Sequence, residues 1–279
     1  MIFTNYTQFY RDRSARGIEY AASHTRALGF NGVEYFGRAH AQILPEAGRE
    51  RQVLDREGLT VSCYSILAQL FTSDQKTVEE QMARHVEAAA ILGSPYLHHT
   101  LFPPISMKTV TESCREVFEG VVDLAERIAK RCHDYGITCL YEPQGVYFNG
   151  VVGLSKIYEE LKARGCDVGI CGDFGNSLFV DVDPVEIFDH FASEIRHVHM
   201  KDYRMIGRGA SDESAYESLS GKRFLDAPLG EGVVDFVHGF RVLRSVGYDG
   251  AVSFELEGGD DTLCRSLARI KSVIASQEP

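Results

Sequence analysis

No run in the 279-residue chain approaches the roughly 18 apolar residues of a transmembrane helix, so none is expected. The opening MIFTNYTQFY has neither a basic region nor an apolar core, and no secretory signal is expected there. Positive charge is in short supply: 29 Lys and Arg stand against 40 Asp and Glu, for a formal net charge of -11. An acidic surface disfavours nucleic acid and anionic membranes as partners. The seven cysteines form no C-x-x-C pair and no zinc-knuckle spacing, and Cys63, Cys139 and Cys171 sit inside strand-like runs. An odd set of buried thiols fits a reducing cytoplasm. There is no Pro/Ser-rich linker and no low-complexity tract. The turn after the first strand, TQFYRDR, lacks G-x-G-x-x-G, which argues against an open dinucleotide-binding sheet.

What is present is alternation. Apolar strand patterns fall at 2–6, 31–36, 59–65, 96–102, 137–142, 168–173, 195–201 and 250–256. Amphipathic helices are expected between and after them, at about 16–28, 45–57, 153–164, 184–192, 235–246 and 261–275. Two more begin at the capping boxes Thr77/Glu80 and Thr109/Glu112 and stop at Gly93 and Gly136. Asp183-Pro184 supplies an N-cap followed by proline at the first helical position. Eight strands alternating with eight helices predict a single α/β domain over 1–279, a (β/α)8 TIM barrel. With 44% hydrophobic residues the chain can fill such a core.

The seventh strand reads R-H-V-H-M-K-D from Arg196 to Asp202. Its alternation places His197, His199 and Lys201 on one face, which is costly inside a protein unless polar partners await them. Three other strands end in acids, at Glu142, Asp173 and Glu255. In a barrel, the C-terminal strand ends meet at the mouth where chemistry sits. The inward positions below the acids are small or apolar (Leu140, Cys171, Ser253), as a filled barrel with a polar rim requires.

The ordered pieces GFNGVE at 29–34, YEPQ at 141–144, GDFGN at 172–176, HVHMKD at 197–202, APLGEGVVDF at 227–236 and YDGAVSFE at 248–255 resemble the xylose-isomerase-like barrel superfamily, the sugar phosphate isomerase/epimerase group. The resemblance covers nearly the whole chain. It implies that Glu142, Asp173, His199 and Glu255 bind one divalent metal, and that the two glutamates move protons. The chain departs from the pattern at Asn176, where many members carry a substrate-holding histidine. Arg204 lies near the position of a second substrate-holding residue, an arginine. The superfamily also holds zinc endonucleases acting at abasic DNA. Their extra histidines are missing here, including one before Gly230-Glu231-Gly232, and the acidity disfavours DNA.

Weighed as residues, three clustered carboxylates with Lys201 as the one nearby inward cation would repel one another unless a metal intervened. The alternative is a set of buried salt bridges. Three carboxylates and an imidazole suit Mn2+ first, then Mg2+, Co2+ or Zn2+. Lys201 either neutralises a ligand carboxylate or steadies a substrate oxyanion. Asp202 is expected to face away from the barrel as a loop anchor. Glu34 and His197 are candidates for substrate contact or for support of the ligands, with a plain salt bridge or a core histidine as the bland readings. His98 and His99 point to opposite sides, and parity does not say which faces in. His24, His85, His133 and His238 are expected on helix surfaces. The segment at about 203–232, with Arg204, Arg208, Lys222 and Arg223 and glycines 207, 209 and 221, is too long for an ordinary connection. It reads as an irregular lid over the mouth or as a docking arm for a second subunit.

The expected activity is metal-dependent chemistry on a small keto sugar or polyol ketone through an enediolate, giving an isomerase or epimerase. Glu142 and Glu255 would flank the substrate from strands across the barrel. With a leaving group at the β position the same intermediate eliminates it, giving a dehydratase or another lyase, of the keto-inositol or 3-keto glycoside type. A non-catalytic sugar-binding scaffold is the remaining alternative.

Overall fold

The structure is a computed structural model that describes residues 1–38, 42–68, 70–71, 74–101, 114–145, 147–207 and 212–277. Its strands, in chain order, are β1 (Ile2–Asn5), β2 (Gly32–Phe36), β3 (Thr60–Ile66), β4 (Tyr96–His99), β5 (Thr138–Tyr141), β6 (Val168–Asp173), β7 (Ile195–Met200), β8 (Tyr203–Ile206), β9 (Tyr216–Glu217), β10 (Arg223–Asp226) and β11 (Ala251–Phe254). Eight of them close a parallel barrel in the ring order β1-β11-β7-β6-β5-β4-β3-β2. The predicted (β/α)8 barrel is therefore the observed fold.

Nine helices are present among the described residues: α1 (Thr7–Arg16), α2 (Ile18–Ala27), α3 (Ile43–Arg56), α4 (Gln75–Ile91), α5 (Cys114–Asp134), α6 (Gly150–Ala163), α7 (Pro184–Phe191), α8 (Phe236–Ser245) and α9 (Asp260–Ala275). Two differ from expectation. The stretch after β1, read as a plain turn, is the helix α1, parted from α2 by Gly17 at φ 88°. That left-handed backbone is one glycine adopts readily, and it lets two short helices meet at a sharp bend. At α4 the cap is not Thr77. Asp74 accepts from the Thr77 backbone N–H at 3.2 Å, so the helix starts earlier. The Asp183 cap is as expected, its side chain accepting from Val185 N–H at 3.1 Å. The box at Thr109/Glu112 lies outside the described residues.

Two apolar layers hold the barrel. The larger packs the outward faces of the strands against the helices. The smaller sits inside the barrel, with Cys63, Leu140 and Cys171 fully buried and Tyr96 against them. That inner plug is the small-residue layer predicted beneath the polar rim. Burial there is worth on the order of 25 cal/mol per Å2 of apolar surface and leaves the mouth as the place for charge.

The described residues of the 203–232 segment are not irregular. They fold as a three-stranded antiparallel sheet in the order β8-β10-β9, with Tyr203 opposite Asp226 and Phe224 opposite Tyr216. Two carboxylates fasten it. Asp202 accepts from the backbone N–H of Gly230 and Gly232, each at 2.8 Å, from Tyr203 at 2.8 Å and from Val234 at 3.2 Å. A Cβ at residue 232 would collide with that carboxylate, so the turn needs glycine. Asp181 accepts from Ser218 Oγ at 2.9 Å and Ser220 N–H at 2.8 Å. Asp202 is thus the anchor expected of it. Arg208 and Gly209 lie outside the described residues. No helix among the described residues is long and apolar enough to cross a membrane.

Candidate metal centre at the barrel mouth

The β6–β7 ladder sets Asp173 opposite His199, after a register shift between Ile170 and Cys171, and the β7–β11 ladder sets Ser253 opposite His199. Glu142 and Glu255 each fall just past their strand ends. Glu142, Asp173, His199 and Glu255 each offer a ligand atom, and these atoms lie within 4.8 Å of one another. His199 Nδ1 is 3.0 Å from Glu142 Oε2, 3.1 Å from Glu255 Oε2 and 3.8 Å from Asp173 Oδ2. In ring order the four come from consecutive strands, β5, β6, β7 and β11. Glu142 and Glu255 are therefore the two ends of an arc three strands apart, not residues directly across the barrel as the sequence suggested.

A second polar layer lies beneath. Glu34, fully buried at the middle of β2, accepts from His199 Nε2 at 2.9 Å and His197 Nε2 at 2.8 Å, and also from Ser65 Oγ. With Nε2 held by Glu34, His199 turns Nδ1 toward the three carboxylates, the ring orientation a metal ligand needs. The two imidazoles hold the Glu34 carboxyl well below its ordinary value, overriding burial, which acts upward. His98 settles the parity question. Its Nδ1 is 3.3 Å from Ser65 Oγ and its Nε2 3.4 Å from Glu142 Oε1, whereas His99 turns outward to Tyr141 at 3.3 Å.

Lys201 reaches the same cluster. Its Nζ is 3.2 Å from Asp173 Oδ2 and 3.1 Å from Glu255 Oε1, and it donates to Asn176 Oδ1 at 2.9 Å. Burial disfavours the ammonium, yet Asp173, Glu255 and Glu142 outweigh it and keep its pKa well above the usual value. These carboxylates hold Lys201 as a cation. Even so, the cluster is short of positive charge. Glu255 is pushed up to about 7, by burial and by repulsion from Glu142 and Asp173, against the pull of Lys201 and His199. Asp173 Oδ1 accepts from the N–H of Gly175 at 2.8 Å and Asn176 at 2.6 Å, while its buried Oδ2 takes no hydrogen bond. A buried carboxylate oxygen without a hydrogen bond, facing Lys201 and grouped with two further carboxylates and an imidazole nitrogen, fits a divalent cation.

The remaining candidates separate. Asn176 stands beside Lys201, its Nδ2 without a hydrogen-bond partner among the described residues. His197 is fully buried a layer below and pairs with Glu34, so it lies away from the mouth cavity that would hold substrate. Arg204 is exposed on β8 and does not line that cavity. Of the helix histidines expected on the surface, His85 is buried and bonded to Tyr64 OH at 2.7 Å. His24 is half-buried between two aspartates.

The cavity above the cluster measures about 330 Å3 and is lined in part by Tyr6, Phe36, Lys201, Tyr203, Tyr216 and Glu255. The sequence reading missed its aromatic walls. Tyr6 stacks on His199 with ring centroids 5.5 Å apart. Its position one residue past β1 is the signal that would have found it.

The description xylose isomerase-like TIM barrel matches residues 22–273. The chain belongs to that family. Within reach by sequence is the rhizopine catabolism protein MocC of Rhizobium meliloti, 27% identical over 263 residues, covering 86% of this chain and 74% of that one. The inosose dehydratase of Geobacillus kaustophilus is 26% identical over 153 residues, covering 54% of this chain and 49% of its own length. Among solved structures, an L-ribulose 3-epimerase superposes with a TM-score of 0.77 at 17% identity, covering 99% of this chain and 95% of that one. At that identity the likeness speaks for the barrel alone.

Proposed function

We propose that this family member removes a proton from the carbon beside the carbonyl of a small polyhydroxylated ketone, at a divalent-metal site made by Glu142, Asp173, His199 and Glu255. The convergence of four donors within 4.8 Å carries the reading. The donor set favours Mn2+, with Mg2+, Co2+ and Zn2+ as alternatives. A divalent ion held there supplies the positive charge that polarises a carbonyl and favours negative charge on adjacent oxygens.

The chain's own groups do the rest. Glu142 and Glu255, at the two ends of the ligand arc, approach a bound molecule from different sides. One carboxylate takes the proton to leave an enediolate, and the other returns it. Return to the opposite face of the same carbon epimerises. Return to the neighbouring carbon, with a proton shift between the oxygens, isomerises. The Lys201 ammonium, which lines the cavity, favours the ionised form of Glu255 against burial and stands where a substrate oxygen gathers charge.

A second reading is β-elimination from the same intermediate. It is supported by the inosose dehydratases among the sequence relatives and by Asn176 at the place where many members carry histidine. Ketoses, keto-inositols and 3-keto glycosides incubated with Mn2+-loaded protein in D2O test both. Deuterium on the carbon beside the carbonyl marks epimerisation or isomerisation, and loss of water marks elimination. A Glu255→Gln protein that retains metal and full activity would refute the assignment.

A further inference from the structure

The antiparallel sheet β8-β10-β9 contributes three side chains to the mouth cavity: Tyr203, Tyr216 and Asp226. None belongs to the metal cluster. Asp226 closes β10, and its carboxylate accepts a hydrogen bond from the Tyr216 hydroxyl, which fixes its direction. The charge around it is one-sided. Asp226, Glu255 and Glu257 line the cavity, while Lys201 is the one cation in the described lining. That ammonium is already shared among Asp173, Glu255 and Asn176. Arg11, at the rim, is paired with Glu257. Tyr6 and Phe36 from the barrel and Tyr203 and Tyr216 from the sheet supply aromatic faces. At about 330 Å3 the space sits at the small end of ligand sites, enough for one ring.

We propose, resting on the enolisation reading above, that Asp226 selects an uncharged polyhydroxylated ring over its phosphorylated or carboxylated counterparts by accepting hydrogen bonds from the ring's hydroxyls. A carboxylate accepts strongly from hydroxyl donors and offers none. Ring faces rest on the aromatic walls, as apolar surface on a large planar side chain. An anionic substituent placed there meets Asp226, the one lining carboxylate without a cationic partner among the described residues, since Lys201 and Arg11 are taken by Glu255 and Glu257, and like charges brought together disfavour binding.

The test uses the full chain loaded with Mn2+. Inorganic sulfate, titrated calorimetrically, is the anion probe. Free ketoses and keto-inositols are compared with their monophosphates by deuterium uptake beside the carbonyl. The uncharged member of each pair is expected to be used at least about 100-fold better. Wild type should show no sulfate binding at about 10 mM, a concentration that would reveal a millimolar Kd. Asp226→Asn, nearly isosteric, should raise KM for the uncharged substrate about tenfold, with the loss falling on KM rather than kcat. Asp226→Lys should gain sulfate binding. Sulfate binding by wild type, preference for the monophosphate, or an unaltered KM in Asp226→Asn would each overturn the assignment. Absence of hydrogen exchange with every substrate of both kinds would instead refute the enolisation reading. In that case the sulfate comparison between wild type and Asp226→Lys still decides whether Asp226 sets the charge preference.

Discussion

Lys201 Nζ lies 3.1 Å from Glu255 Oε1 and 3.2 Å from Asp173 Oδ2, so one ammonium bridges two of the four convergent residues. Its charge has opposite effects on metal and substrate. It competes with a cation for the same carboxylates, yet it steadies negative charge on a bound substrate. Lys201→Gln is therefore expected to bind Mn2+ at least as tightly as wild type while turning over roughly 100-fold more slowly. Metal titration beside steady-state kinetics checks this. A parallel loss of metal and activity would mean that Lys201 only holds the site together.

Glu34 and Asp173 should separate in metal affinity. Glu34 touches the cluster only through His199, orienting its ring. Glu34→Gln should weaken Mn2+ binding by roughly 10–100-fold, the usual cost of losing such a partner. Asp173→Asn removes a ligand itself and should cost more. Competition with a fluorescent chelator gives both constants, and the reverse order would contradict the two-layer arrangement.

The sheet beside the mouth was expected as an irregular lid or docking arm; it is an ordered sheet whose tyrosines line the cavity and whose turn is fastened by Asp181. Shortening the stretch between Gly207 and Gly221 should cut turnover by about tenfold or more, since positioning groups carry large parts of a barrier. Metal content should stay unchanged. A normal rate with the shortened stretch would remove the sheet from catalysis.

Away from the mouth, His24 joins three helices. Its Nδ1 is 2.7 Å from Asp12 Oδ2 on α1 and its Nε2 3.1 Å from Asp260 Oδ2 on α9. Burial lowers its pKa, but the hydrogen bonds to the two aspartates outweigh that and raise it. A raised folded value means the charged pairings stabilise fully below the unfolded value of about 6.5, and that this contribution is lost as pH climbs through the folded value. Because Asp260 is largely exposed, the effect is modest, about 0.5–1 kcal/mol. His24→Gln should lower the melting temperature at pH 6 and have a smaller effect at pH 9. An equal effect at both would show that the charge does not matter.

Three of the convergent residues were legible because they end strands with clear apolar runs, and His199 because histidines and a lysine alternate on one face of β7; a closed barrel brings these together. Local turn chemistry was harder. Asp74 outcompeted Thr77 as a cap because a carboxylate one position before the helix reaches the Thr77 N–H, and the S/T-x-x-E pattern drew attention one turn too far along. Strand β4 has four residues, too few for alternation to say that His98 points inward and His99 outward. The β8-β10-β9 sheet left little trace because short, half-exposed strands carry weak periodicity. The position of Glu142 relative to Glu255 follows from ring order, which repeats chain order, so the fifth and eighth barrel strands stand three steps apart and the expectation of opposite placement misjudged the closure.

The central claim is a single divalent ion at this mouth, and diffraction at the manganese absorption edge from crystals grown at saturating Mn2+ tests it most directly. One anomalous peak per chain is expected, in contact with Glu142, Asp173, His199 and Glu255, and missing or much reduced in Asp173→Asn. No peak there, with elemental analysis also finding no bound metal, would contradict it.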